Sequence, residues 1–153
     1  MKQAGSKQRL HLHGKKIAII CARFYPELAE MLMRGVRDAL SDCNVRDHHI
    51  SSFDVPGCFE LPLAALRVIS SKRCDGVIAL GAVVRGQTPH FEYVAGECSR
   101  GLMTVQLETG VPIGFGVLTT NTYDQAAERA DPERGNKGYA AAIAVASLLK
   151  IPA

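Results

Sequence analysis

The chain has 153 residues, 47% of them hydrophobic, and a formal net charge of +3. This length suits one domain with a single core. The weak and scattered positive charge does not fit a nucleic-acid-binding protein, and no apolar run approaches the ~20 residues that cross a bilayer.

The amino-terminal segment and the cysteines indicate where the protein works. Residues 1–15 are basic and lack the apolar stretch of a secretory signal, so we interpret them as a flexible tail before one domain at residues 16–153. The five cysteines are widely spaced and form no C-x-x-C pair. This spacing argues against a disulfide framework or a zinc site, and for a reducing, cytoplasmic compartment.

Four apolar segments predict the strands of a parallel sheet. The first covers residues 16–22, the second 49–55, the third runs from 76 to the polar residues at 85–87, and the fourth covers 111–118. The first and third are apolar without alternation, which is typical of strands buried on both faces. Residues 119–121 are predicted to form a loop after the fourth strand.

A helix is predicted after every strand. Pro26 opens the first, and Asn44 ends it. The second follows residues 58–60. Thr88 is predicted to cap the third, with Pro89 at its first position, and Gly110 ends it. Thr122 and Gln125 predict a capping box for a short helix to about residue 130, and an alanine-rich helix covers residues 137 or 138 to 149. Regular strand–helix alternation predicts a four-stranded parallel α/β sheet covered on both faces.

The carboxyl ends of parallel strands share one edge, where open α/β sheets bind ligands. His90 lies just past the third strand, in the first turn of the next helix. Gly86 precedes it and lets the backbone come close to a phosphate. The simpler alternative is a histidine that only completes the turn.

Four more residues near this edge suit a small ligand, and each has a plainer explanation. Phe24 would stack on a planar ring or cap the core. Glu60 would accept hydrogen bonds from hydroxyl groups or stabilise its helix dipole. Arg129 would clamp a phosphate or serve as a cation at a helix end. Lys137 would reach a ligand or stay in solvent.

Several common catalytic patterns do not fit. Residues 81–88 approach the phosphate-loop pattern, but Gln87 stands where it needs lysine. A dinucleotide-binding G-x-G-x-x-G does not follow the first strand, and the chain contains no G-x-S-x-G.

Linked segments between about residues 16 and 149 resemble the lumazine synthase family in order and spacing. They are Arg23-Phe24, Val55-Pro56-Gly57-Cys58-Phe59-Glu60, Leu80 through His90, Phe115 through Thr120, Glu128-Arg129 and Gly135-Asn136-Lys137-Gly138. The resemblance implies a flavodoxin-like three-layer α/β/α sandwich. It also implies a transferase of riboflavin biosynthesis that condenses 5-amino-6-(D-ribitylamino)uracil with 3,4-dihydroxy-2-butanone 4-phosphate. The products are 6,7-dimethyl-8-ribityllumazine, phosphate and water, and the resemblance implies neither a cofactor nor a metal.

The resemblance also implies a role for each candidate residue. Phe24 stacks on the pyrimidine, and the edge of that ring pairs with the backbone of Ala82, Val83 and Val84. The ribityl chain is held by Cys58, Phe59 and Glu60. His90 is the general acid/base, and the phosphate is held by Gly86, Gln87, Thr88 and Arg129. Phe115 and Lys137 reach into the site of a neighbouring subunit.

The family assembles as pentamers with active sites between adjacent subunits, and some members pack into a sixty-subunit shell. Pro132 departs from the Gly-Thr-Lys-type turn that is usual in shell-forming relatives, so pentamer and shell both stay open. A non-catalytic flavin- or lumazine-binding protein, or a structural shell protein, on the same fold also stays open. The presence of both His90 and Arg129 favours the enzyme.

Overall fold

A computed structural model describes residues 10–153. Strands and helices alternate along the chain, and one extra helix follows at the end. The strands are β1 (Ile17–Ala22), β2 (Ile50–Val55), β3 (Gly76–Val84) and β4 (Ile113–Thr120); the helices are α1 (Pro26–Asp42), α2 (Leu61–Ser70), α3 (His90–Thr109), α4 (Tyr123–Ala130) and α5 (Lys137–Leu149). Among these helices, none has the length and hydrophobicity needed to cross a membrane.

The four strands form one parallel sheet in the order β2-β1-β3-β4. β1 is fully buried and β3 nearly so, because each has a strand on either side and helices above and below. One core packs the sheet against α1, α4 and α5, and the other packs it against α2 and α3. The predicted flavodoxin-like three-layer sandwich with a four-stranded parallel sheet is therefore confirmed.

Glycines bring the α5 layer unusually close to the rest of the fold. A Cβ added at Gly114 in β4 would lie 2.4 Å from the Ala141 carbonyl oxygen, and one added at Gly138 would lie 2.2 Å from the Leu32 carbonyl oxygen. No side chain fits at either distance. At Gly114, in the edge strand β4, the neighbour that comes so close is the backbone of α5.

Most of the predicted element ends are confirmed. Asn44 takes a positive φ just after α1, and Gly110 caps α3 in the left-handed conformation. Thr122 and Gln125 form the predicted capping box. These signals are local, because each depends on residues within one turn of the helix end.

Three predicted details are wrong. Thr88 makes no capping hydrogen bond, and Pro89 occupies the N-cap position, so that His90 is the first helical residue. Thr119 and Thr120 belong to β4 rather than to a loop, because they pair with Val83 and Val84 of β3. β4 also begins at Ile113, two residues later than predicted.

The predicted flexible tail at residues 1–15 falls largely on residues 1–9, which lie outside the described part of the chain. Within the remainder, Leu12 is buried, and its backbone N–H donates to the Cys43 carbonyl at 2.9 Å. Lys150 Nζ donates to the His11 carbonyl at 2.6 Å. The segment around Leu12 therefore contacts the chain at the end of α1 and just past the end of α5.

Candidate functional site

A cleft of about 590 Å³ opens at the carboxyl ends of β1 and β3. The chain leaves these neighbouring strands in opposite directions, since β1 connects to β2 on one side and β3 leads to β4 on the other. Such a switch point leaves a crevice that helices do not fill, and it is where open α/β sheets bind ligands. The volume is within the usual range for small-molecule sites.

Ten of the fourteen predicted site residues line this one cleft. They come from four separate segments: the loop after β1, the turn before α2, the end of β3 and the start of α3. They are Phe24, Cys58, Phe59, Glu60, Ala82, Val83, Val84, Gly86, Thr88 and His90.

The loop after β1 presents the ring of Phe24 to the cleft. Phe24 is 70% exposed, and it meets the ring of Tyr25 edge-on at 4.9 Å between centroids. Arg23 fixes the start of this loop, because its Nε donates to the Asp54 carboxylate at 3.0 Å and it also pairs with Glu30. An apolar ring that is held in this way and remains largely exposed is suited to stacking against a planar ligand.

The turn before α2 is pressed against β3. A Cβ at Gly81 would lie 2.5 Å from Cys58 Sγ, so the glycine makes room for that buried side chain. A hydrogen bond with Cys98, together with burial, raises the pKa of the Cys58 thiol far above that of an ordinary cysteine. Cys58 is therefore a neutral wall of the cleft rather than a nucleophile.

Glu60 has a structural task as well as an exposed position. Its carboxylate accepts a hydrogen bond from the Gly57 backbone N–H at 3.1 Å, which closes the turn at residues 57–60. A carboxylate has more lone pairs than this single bond uses. Glu60 can therefore hold its turn and still accept hydrogen bonds from a ligand's hydroxyl groups.

The segment from Gly86 to His90 forms the rim of the cleft between β3 and α3. Each of its residues is exposed. A Cβ at Gly86 would meet nothing within 4 Å. His90, as the first residue of α3, stands at the amino end of a 20-residue helix. The rim thus combines an accessible backbone, a helix amino end and an imidazole.

Four predicted site residues do not line the cleft of a single chain. Gln87 lies on the exposed rim but is not among the lining residues. Phe115 lies on the edge strand β4 and is 47% exposed. Its side chain is on the sheet face that α2 and α3 cover. Arg129, in α4, and Lys137, in α5, belong to the opposite layer. Arg129 Nη1 donates to the Gln125 carbonyl at 3.1 Å.

Six lining residues were not among the predicted site residues. In the sequence, Tyr25 follows Phe24, and Pro56 and Gly57 precede Cys58. The others are Phe91, Tyr93 and Val94. Tyr93 and Val94 stand three and four positions after His90, so the helical repeat alone places them on the same side of α3. That spacing from His90 was the signal from which Tyr93 and Val94 could have been predicted to line the cleft.

A sequence model of the family described as 6,7-dimethyl-8-ribityllumazine synthase matches residues 14–153. The match covers nearly the whole chain, including every segment that lines the cleft. The chain belongs to this family. Its members are transferases of riboflavin biosynthesis that act on small molecules, so the cleft at the ends of β1 and β3 lies in a fold used for that chemistry.

Proposed function

We propose that the protein condenses 5-amino-6-(D-ribitylamino)uracil with 3,4-dihydroxy-2-butanone 4-phosphate to form 6,7-dimethyl-8-ribityllumazine, phosphate and water. One observation carries the proposal: an uncovered aromatic ring, a strand-end backbone, a carboxylate and an imidazole line a single cleft in a chain of the lumazine synthase family.

The pyrimidine is proposed to lie on Phe24. The exposed face of this ring supplies stacking, and the backbone of Ala82, Val83 and Val84 at the end of β3 supplies hydrogen bonds to the edge of the base. Pairing of β3 with β1 ends at Leu80, whereas its pairing with β4 continues through Val84. Stacking of a base on an aromatic side chain contributes about 1–3 kcal/mol.

The ribityl chain is proposed to extend along the turn at residues 58–60. Phe59 is 61% exposed and offers apolar surface to the carbon chain. Glu60 accepts hydrogen bonds from the hydroxyl groups. Cys58 closes the wall behind them as a neutral thiol.

The phosphate-bearing substrate is proposed to bind at the rim, on Gly86, Gln87 and Thr88. The pyrimidine brings its own amine, so an imine forms between the two substrates and the enzyme needs no lysine nucleophile. His90, at the same rim, then exchanges protons with the carbinolamine or with the leaving phosphate. Holding the two reactants together can lower the barrier by roughly 7–11 kcal/mol.

Arg129, Phe115 and Lys137 are proposed to serve the cleft of an adjacent copy. Arg129 and Lys137 lie in the layer opposite the cleft, and Phe115 lies at the sheet edge, which is where a second chain has access. A ring of copies in head-to-tail contact would bring these residues to each cleft. We therefore propose a homo-oligomer, specifically a pentamer, which sedimentation or light scattering would measure.

The proposed location is the cytoplasm. The five cysteines are free, four of them buried and Cys74 half-buried. Unpaired thiols suit a reducing compartment, whereas small secreted domains commonly rely on disulfides.

The proposed reaction is tested by incubating the protein with both substrates and following the absorbance of the lumazine product. We expect a rate well above that of buffer alone, and none when either substrate is omitted. The His90→Ala variant should be slower by about 10²–10⁴-fold. A wild-type protein that binds the lumazine but gives only the buffer rate would instead support a passive binding protein.

A further inference from the structure

The rim segment from Gly86 to His90 is held by few contacts of its own. No side chain within it makes a hydrogen bond to any residue from 10 to 153. Open space surrounds Gly86. At the helix end, the Pro89 carbonyl accepts from the Glu92 N–H at 3.0 Å, and His90 is already the first residue of α3. Contacts at the two ends of the segment must therefore fix its position.

Arg85 supplies the contact at the strand end. Its backbone N–H donates to the Thr120 carbonyl at 2.8 Å, which extends the pairing of β3 with β4 by one residue. Its side chain turns along the same edge, where Nε donates to Asn121 Oδ1 at 3.0 Å. Arg85 is thereby fixed to the loop that follows β4.

The same side chain also holds the helix end. Arg85 Nη1 pairs with the Glu92 carboxylate, and the guanidinium carbon lies 4.4 Å from the centroid of the Phe91 ring. Both partners belong to the first turn of α3, immediately after His90. The hydrogen bond from Arg85 lowers the pKa of Glu92, so this carboxylate is ionised and the pair is intact at neutral pH.

We propose that Arg85 is a positioning residue for the reaction. It bridges the two ends of the rim segment and so sets where the Gly86 backbone and the His90 imidazole stand relative to Phe24. Arg85 does not itself line the cleft, and its effect passes through Asn121, Phe91 and Glu92. The inference rests on the proposed function, because it is the proposed condensation that requires His90 in place.

The chemistry of these contacts requires arginine specifically. A planar guanidinium can donate to Asn121 and to Glu92 at once while its face covers Phe91. A lysine ammonium carries the same charge but is a single point without a stacking face. Arg85→Lys should therefore keep part of the Glu92 pair and lose the bridge.

The test compares Arg85→Ala and Arg85→Lys with Arg100→Ala. Arg100 is a matched control because it is an exposed arginine of α3 that pairs with Glu97 three residues away, far from the rim. We expect Arg85→Ala to lower kcat/KM for the phosphate-bearing substrate about 10²-fold, since small misplacement of reacting groups has effects of that size. KM for the pyrimidine should stay within about twofold, because Phe24 and Glu60 are held by other contacts. Arg85→Lys should lose about tenfold, and Arg100→Ala should match the wild type.

Amide hydrogen exchange, followed by mass spectrometry, gives a second measurement that needs no turnover. In Arg85→Ala, and less strongly in Arg85→Lys, the peptide covering residues 86–92 should exchange faster than in Arg100→Ala, while peptides from β1 stay unchanged. An unchanged exchange rate in that peptide overturns the inference, as does a KM for the pyrimidine that rises by much more than about twofold. If the wild type forms no lumazine, the proposed function fails instead, and the exchange result still decides whether Arg85 orders the rim.

Discussion

The two sides of the sheet are built in opposite ways. On the α1–α5 side, backbones touch: Gly138 of α5 lies against the Leu32 carbonyl of α1, and a Cβ at Gly35 would lie 2.9 Å from the Tyr139 backbone nitrogen. On the α2–α3 side, the carboxyl edge stays open and three aromatic rings face solvent. These are Phe24, Phe59 and Tyr93, each more than 60% exposed.

This difference separates stability from function. At Gly35 and Gly138 the α1–α5 layer leaves no space for an added side chain, so these positions tolerate little change in volume. The open side exposes apolar rings, which is unfavourable unless something binds them. We infer that the packed layer supports the fold and that the open edge binds the substrates. The predictions below test that division.

The largest expected effect concerns Arg129, which lies on the packed side and yet is proposed to bind phosphate. We expect Arg129→Ala to reduce turnover more than His90→Ala. Holding the phosphate substrate contributes to a proximity effect of roughly 7–11 kcal/mol, whereas a general acid/base contributes about 3–5 kcal/mol. Steady-state rates of the two variants decide the ranking. The ranking would be reversed if the His90 variant were inactive and the Arg129 variant kept a turnover rate close to that of the wild type.

Mixing the two variants tests whether Arg129 serves the cleft of a neighbouring copy. If each cleft draws Arg129 from a neighbouring copy, random co-assembly of Arg129→Ala and His90→Ala chains leaves about a quarter of the sites with both residues intact. Unfolding and refolding the two variants together should then restore activity. Activity that stays absent after co-assembly places both residues in a site within one chain, or outside any common site.

A smaller effect is expected from adding one methyl group on each side of the sheet. Gly138→Ala forces a Cβ against the Leu32 carbonyl and should lower the free energy of unfolding by about 1–3 kcal/mol. Gly96→Ala is the matched control, because Gly96 lies in α3 with nothing within 4 Å of an added Cβ. Alanine there should raise the free energy of unfolding by about 0.5–1 kcal/mol through helix propensity. Urea unfolding measures the free energy of unfolding of both variants. Equal changes in the two variants would contradict the proposed difference between the two sides of the sheet.

The smallest effect concerns a hydrogen bond within the packed layer. Tyr139 Oη donates to the Asp42 carboxylate at 2.7 Å, and this bond raises the pKa of Tyr139 from 10.0 to about 12. The folded state favours the protonated phenol, so the contribution is complete below pH 10 and is lost as the pH rises toward 12. For this partly exposed pair it amounts to about 1 kcal/mol or less.

Tyr139→Phe should remove that pH dependence. Between pH 10 and 12, the free energy of unfolding of the variant should fall less steeply than that of the wild type. Asp42→Asn is the companion variant, since it removes the acceptor charge and keeps the phenol. Thermal unfolding across this pH interval measures the pH dependence of stability in both variants and in the wild type. Parallel curves for all three proteins would show that the bond to Asp42 does not shift the pKa of Tyr139.

Signals confined to one helix turn could be predicted from the sequence. The Thr122–Gln125 capping box and the stops at Asn44 and Gly110 depend only on neighbours along the chain. The Thr88 cap was also predicted from neighbours along the chain, but the structure does not form it. The residues before α3 are bridged instead by Arg85, whose partners include Asn121, 36 residues away.

The end of β4 and part of the cleft also depend on distant partners. Thr119 and Thr120 continue the strand because β3 continues beside them to Val84, and strand propensity alone does not determine that length. The cleft brings together residues whose sequence positions are far apart, and adjacency along one helix places Tyr93 beside His90. The proposed roles of Arg129 and Lys137 depend on a second chain, so no contact within one chain could be used to predict them.

The most direct measurement is kcat/KM for the ribitylaminouracil in Phe24→Ala and Ile151→Ala. Both substitutions truncate a highly exposed apolar side chain, 70% exposed for Phe24 and 66% for Ile151, but only Phe24 lies at the open edge. We predict a loss of roughly 5- to 150-fold for Phe24→Ala, equivalent to about 1–3 kcal/mol of stacking, and a change within about twofold for Ile151→Ala. Equal values for the two variants would contradict the assignment of the open edge as the substrate site.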